Sequence, residues 1–232
     1  MRVAIIENTR ITHHGQIGVA LHEAAARVET FRPFLDQTLP KIEDGFDALI
    51  VFGGEQTAID DHIHPYLPAL ATLMQAMTAK DRPVLGICLG SQLLARAYGA
   101  ENHLGTASEF GWCDVTLTEA GLTDPVLGHL PETFPIFEFH TDTFTLPQGA
   151  VHLAQTKTAP NQAFRIGRAT YGTQFHFEAN RAVVADWARE FPDIIEERQS
   201  GWLANHAALA KTRGIVSDAA GLAIARAWVA LI

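Results

Sequence analysis

Three observations predict an α/β protein with a doubly wound, mostly parallel central sheet and helices on both faces. The segments VAIIEN (Val3–Asn8), DALIVFGG (Asp47–Gly54) and PVLGI (Pro83–Ile87) are almost unbroken apolar runs. Strands buried on both sides read this way. Helical spacing of apolar residues separates them, and alternating β and α segments are the signature of a parallel sheet.

Taken in order, VAIIEN suits a central strand. Ile17, Ala20, Leu21, Ala24 and Val28 then mark one face of a helix. DALIVFGG is a strand ended by two glycines, and Tyr66–Lys80 is helical with Pro65 and Pro68 in its first turns. PVLGI is a further buried strand, followed by the helix SQLLARAYG, which Gly99 closes. Past Gly111 the runs WCDVTLT, FPIFEF, HLAQT, AFRIG and TYGTQFHFE are short, β-like and broken by Pro or Gly, which predicts added mixed or antiparallel strands. Helices are expected over about 182–198, 201–211 and 216–232. With no internal repeat and no low-complexity linker, residues 1–232 are expected to form a single domain, of which about 181–232 is a helical C-terminal extension.

Composition narrows the function classes. A net charge of −9 leaves no basic footprint for nucleic acid or an anionic membrane surface. The apolar tail DAAGLAIARAWVALI is shorter than the roughly 20 residues that span a bilayer and contains Arg226, so it is read as a packing helix. The opening MRVAIIENTR has no apolar signal region, and two cysteines make no disulfide framework, so a reducing cytoplasm is the expected compartment.

The chemistry centres on Cys88. In GICLGSQ it lies between a predicted strand and a predicted helix, with Gly86 and Gly90 two residues to either side. A nucleophile on a sharp strand-to-helix turn needs small neighbours of this kind. A helix N-terminus also favours the thiolate; the alternative is a small buried hydrophobe among packing glycines. In TQFHFEAN, His176 and Glu178 stand two apart, so an extended segment points both to one face, where Glu178 can orient the His176 ring. Gly53 and Gly54 end a predicted parallel strand and could present backbone N–H groups to a substrate. The N–H of Leu89 is the other candidate oxyanion donor.

GICLGSQ, the earlier FGG and the later GTQFHFE together resemble the nucleophile, oxyanion and His/Glu motifs of class I, triad-type glutamine amidotransferases. EFGW (Glu109–Trp112), FHTDTFTLPQGAVHLA (Phe139–Ala154) and NQAF (Asn161–Phe164) are similar to the stand-alone branch related to the amidotransferase domain of GMP synthetase. The resemblance covers about 47–180 and implies a flavodoxin-like architecture. It implies Cys88 as nucleophile, His176 as acid/base, Glu178 as its orienter, and Gly54 and Leu89 as oxyanion donors. It further implies substrate contacts from Gly53, Gln92, His140, Thr141 and Asp142, and Glu109 for the substrate α-amino group. The sequence departs from the family at Phe177 and Glu55, where proline is usual, at Ser91, often histidine, and at Thr141, usually glycine.

No phosphate loop or dinucleotide turn is present, so no cofactor is expected. Asp60, Asp61, His62 and His64 lack a metal-site spacing and are read as a loop over the cleft. The expectation is hydrolysis of glutamine or a related γ-glutamyl amide through a cysteine thioester. A separate ammonia-accepting synthetase and a homodimer are the partners left open. The competing readings are a γ-glutamyl peptidase for larger conjugates and a non-catalytic regulatory subunit.

Overall fold

The computed structural model describes residues Met1–Ile232. Nine strands form one sheet. In chain order these are β1 (Arg2–Ile6), β2 (Arg27–Phe31), β3 (Ala48–Val51), β4 (Val84–Ile87), β6 (Glu109–Leu117), β7 (Thr133–His140), β9 (Val151–Gln155), β10 (Ala163–Ile166) and β11 (Thr170–Thr173). The short strands β5 (Asn102–His103) and β8 (Thr143–Phe144) pair separately. Spatial order in the large sheet is β2-β1-β3-β4-β11-β10-β9-β6-β7. From β2 to β11 every pairing is parallel, and from β11 to β7 every pairing is antiparallel. The doubly wound half and the added antiparallel half are therefore both as expected.

The helices are α1 (Gly15–Glu23), α2 (Pro33–Asp36), α3 (Leu67–Ala79), α4 (Leu89–Ala97), α5 (Arg181–Glu190), α6 (Pro192–Arg198), α7 (Trp202–Lys211) and α8 (Arg213–Val229). Because side chains alternate along a strand, each buried strand feeds two cores. Val3 and Ile5 of β1, Ile50 of β3 and Ile87 of β4 pack against Ile17 and Leu21 of α1 and Ile224 and Trp228 of α8. Ala4, Ile6, Leu49, Val51 and Val84 face the other way, onto Leu70 and Met74 of α3 and Leu93 and Leu94 of α4. Each fully buried side chain of this size contributes about 1.5–3 kcal/mol of transfer free energy. A third, aromatic cluster joins Phe110, Trp112 and Phe137 to Trp187 and Trp202 of α5 and α7.

Three sequence expectations are corrected. Val28 leaves the first helix, which stops at Glu23, and enters β2 in register with Val3. The helix expected over 182–198 breaks at Phe191, because Pro192 starts a new helix there and restricts the backbone of the residue before it. The extended segment expected around His176 ends at Thr173, and the residues that follow form turns. No helix is long and apolar enough to cross a membrane.

Candidate active site

The carboxyl ends of the parallel strands converge on one cleft, where ligands bind in open α/β sheets. Thr9 follows β1, Gly53 and Gly54 follow β3, Cys88 follows β4, and His176 follows β11; all line a cleft of about 340 Å³.

Cys88 has φ +52° and ψ −111°, a left-handed geometry that a residue with a Cβ adopts only under constraint. The constraint is visible. The Cys88 N–H donates to the Thr173 carbonyl at 2.8 Å, and the Cys88 carbonyl accepts from the N–H groups of Ser91 and Gln92 and from Ser91 Oγ at 2.9, 3.1 and 2.7 Å. The flanking glycines are required by space. A Cβ on Gly90 would stand 2.1 Å from the Val51 carbonyl oxygen, and one on Gly86 would stand 2.4 Å from that of Gly90. The turn exists because the helix backbone passes directly over two strands.

His176 meets Cys88 across Gly53. A Cβ on Gly53 would lie 3.1 Å from His176 Cε1 and 3.3 Å from Cys88 Cβ, so only glycine leaves the two side chains room to face each other. His176 Nδ1 donates to Glu178 Oε1 at 2.7 Å, which turns Nε2 away from the carboxylate. Although the segment is not a strand, an isolated bridge from the His176 N–H to the Phe137 carbonyl (2.8 Å) holds it. Burial, the largest influence on the His176 imidazole, pulls its pKa down; its neighbours Glu178 and Cys88 outweigh it and raise the pKa well above 6.5. Trp187 sets its ring edge-on to His176 at 5.2 Å. The turn is also backed from beneath: the Gln16 N–H donates to the Glu178 carbonyl at 2.9 Å, and a Cβ on Gly221 of α8 would come within 2.1 Å of the Phe177 carbonyl oxygen.

The N–H groups of Gly54 and Leu89 donate to no protein acceptor. The two residues adjoin, since a Cβ on Gly54 would be 3.1 Å from Leu89 Cδ2. Asn8 fixes the glycine loop. Its Nδ2 donates to the Phe52 carbonyl at 2.8 Å, its carbonyl accepts from Gln56 Nε2 at 2.8 Å, and its Oδ1 accepts from Tyr66 at 3.1 Å. Nothing in the sequence patterning points to Asn8, a polar residue that closes an apolar strand.

Gln92, His140, Thr141 and Asp142 all line the cleft, and Gln92 Nε2 donates to Gln174 Oε1 at 3.1 Å. Glu109 lies behind His140 rather than on the cleft lining. Its carboxylate does not reach the cleft; it accepts from Gln162 Nε2 at 2.6 Å and Thr156 Oγ1 at 3.0 Å, and sits 3.3 Å from His140 Nε2. Glu138, fully buried and inconspicuous in the apolar run FPIFEF, stands 3.3 Å from the same nitrogen. Burial pushes the Glu138 carboxyl up, and the Glu109 charge adds to this. Burial is also the largest influence on His140 and lowers its pKa, but the two carboxylates raise it to about 10. These three groups alone have metal-ligand spacing, and the His140 imidazolium supplies the positive charge that the carboxylates require. Of the family departures, Phe177 packs into the core away from the cleft, while Glu55 lines it. The 60–66 loop does not cover the cleft: Asp61 is tied to Arg96 by two hydrogen bonds of 2.6 Å, and His64 packs edge-on to Tyr66.

A family model for class-I glutamine amidotransferases matches residues 13–183. The chain belongs to this family. The chain is 38% identical over 151 residues to the glutamine amidotransferase-like protein YfeJ of Salmonella typhimurium, and the match spans 63% of each chain. It is 28% identical over 179 residues to one subunit of the glutamine-hydrolysing GMP synthase of Natronomonas pharaonis, covering 76% of this chain and 88% of that one. The crystal structure of a glutamine amidotransferase from Methylobacillus flagellatus has a TM-score of 0.87 at 26% identity and covers 100% of this chain and 95% of its own. A glutamine amidotransferase from Thermotoga maritima, at 24% identity and TM-score 0.88 over 100% of this chain and 97% of its own, shares the fold.

Proposed function

We propose that the protein hydrolyses the side-chain amide of glutamine, or of a related γ-glutamyl amide, through a thioester on Cys88. The observation that carries this reading is the strained Cys88 turn facing the Glu178-paired His176 across Gly53. The Cys88 thiolate attacks the γ-carbonyl carbon. The unpaired N–H groups of Gly54 and Leu89 receive the developing oxyanion; one such donor is worth about 10²–10³ in rate. His176 passes its proton to the departing nitrogen as the C–N bond breaks, leaving the thioester. It then takes a proton from water, which attacks the thioester and releases glutamate and the thiolate. General acid–base catalysis of this kind contributes about 10²–10⁴. Glu178 keeps the ring in the productive tautomer throughout. Gln92, Thr141 and Asp142 hold the glutamyl portion, and His140 forms the wall beside them.

The relatives that are single subunits of a glutamine-hydrolysing GMP synthase support a division of labour in which ammonia passes to a separate synthetase. The test is to incubate purified protein with glutamine and to measure glutamate and ammonia separately, in parallel with Cys88→Ala. Equimolar release that Cys88→Ala abolishes is the expected result. Full activity in the variant would sink the assignment.

A further inference from the structure

The cleft does not stop at the reacting amide. Beyond His176 its wall continues as Trp187, Phe139 and Phe191, the residue before α6, and then as α6 itself, which presents Ile194 and Arg198. Ile194 and Arg198, four residues apart, lie on one stripe of the helix, while Ile195 turns inward and is buried. Ile194 is 42% exposed, an apolar side chain in the open part of the cleft. Arg198 lines the same rim, and its guanidinium belongs to none of the molecule's ion pairs.

This wall lies on the side of the leaving group, because His176, which protonates the departing nitrogen, is the group that Trp187 touches. Ammonia is about the size of one water, whose share of liquid volume is about 30 Å³. A cleft of about 340 Å³ is in the range, roughly 300–1,000 Å³, that holds drug-sized ligands. Gln92, Thr141 and Asp142 take up the glutamyl end, so ammonia alone leaves the aromatic and aliphatic surface beyond His176 without a ligand. A guanidinium is suited by its planar fork to bind a carboxylate through two parallel hydrogen bonds.

We propose that Phe139, Trp187, Phe191, Ile194 and Arg198 form a leaving-group subsite for γ-glutamyl conjugates of apolar α-amino acids, with the apolar side chain on the aromatic wall and the carboxylate on Arg198. This rests on the Cys88 hydrolase reading and narrows its substrate. The steps balance as for glutamine. The thiolate displaces the amino acid, whose nitrogen takes the proton from His176; water then displaces the thiolate, so γ-glutamyl-X and water give glutamate and X.

The experiment measures kcat/KM of the full chain for glutamine, γ-glutamylphenylalanine and γ-glutamylphenethylamide, following glutamate and the free amine. γ-Glutamylphenylalanine is expected to exceed glutamine by about tenfold or more, with the carboxylate-free phenethylamide between them. Arg198→Ala should cut the γ-glutamylphenylalanine-to-glutamine ratio about tenfold and leave the phenethylamide-to-glutamine ratio unmoved. Ile194→Asp should lower both ratios. If glutamine is hydrolysed as well as γ-glutamylphenylalanine, or Arg198→Ala leaves both ratios unchanged, the subsite is overturned and the hydrolase reading stands. If none of the three compounds is turned over, the hydrolase reading itself falls.

Discussion

Cys88 occupies a backbone conformation that costs about 1–3 kcal/mol, and the hydrogen bonds at its own N–H and carbonyl hold it there. The position puts Cys88 on the cleft beside an imidazole whose charge is maintained by Glu178. Removing that carboxylate charge brings the His176 pKa down towards its ordinary value. Glu178→Gln should therefore lower kcat about 10²–10⁴-fold and move the alkaline limb of the kcat/KM profile, where the imidazolium is lost, to lower pH. A pH–rate profile of the variant checks this; an unmoved alkaline limb would count against Glu178 as the source of the charge. The grouping of Cys88, His176 and Glu178 was legible because each carries a local mark. Glycines stand two either side of Cys88, and a carboxylate two residues from a histidine can reach its ring even though the backbone there turns rather than extends. Glu138 and Asn8 were not legible, since one acid inside an apolar strand, or one amide at its end, acquires meaning only from the side chains that other strands bring beside it.

At the scale of elements, the strand-to-helix turn depends on how closely α4 crosses β3 and β4. Gly90→Ala would drive a Cβ into the Val51 carbonyl, so the helix must lift or the strand must shift. Overpacking of this kind costs about 1–3 kcal/mol, and occasionally more. At roughly 2–4 °C per kcal/mol for a chain of this size, Tm should fall by several degrees, with kcat reduced further than stability alone explains because the turn is displaced. Calorimetry with activity measured well below Tm separates the two effects, and a variant with unchanged Tm and kcat would refute the crossing argument. Apart from the largely exposed strand β2 and the short α2, β5 and β8, which no apolar run marks, the order of strands and helices was readable from apolar runs and their spacing. The break at Pro192 was not, because 182–198 keeps a continuous helical pattern. That break places Ile194 and Arg198 on the cleft, so the wall of the leaving-group side depends on a boundary that periodicity alone does not mark.

Over the whole molecule, the buried His140–Glu109–Glu138 group links stability to pH. The folded-state pKa of His140, about 10, lies above its ordinary value of 6.5, and that of Glu138 is raised as well, so the folded state binds more protons than the unfolded chain. The His140 contribution is complete below about pH 6.5 and is lost as pH rises through about 10. Tm should decline across that window, and Glu138→Gln should flatten the decline by removing one of the charges that hold the proton on His140. Thermal melts at intervals across that window test this, and equal slopes in the two proteins would contradict it. The family match ends at residue 183, yet α8, some thirty residues further on, lies against the carbonyl that follows His176, and Gln16 ties the same turn to the α8 backbone at Asp218. A chimaera joined at the family boundary, with another protein's helices in place of 184–232, would inherit Cys88, His176 and Glu178 while losing the surface against which the turn carrying His176 and Glu178 is set. For recombination the smallest exchangeable unit therefore extends beyond the recognisable motifs to the final helix.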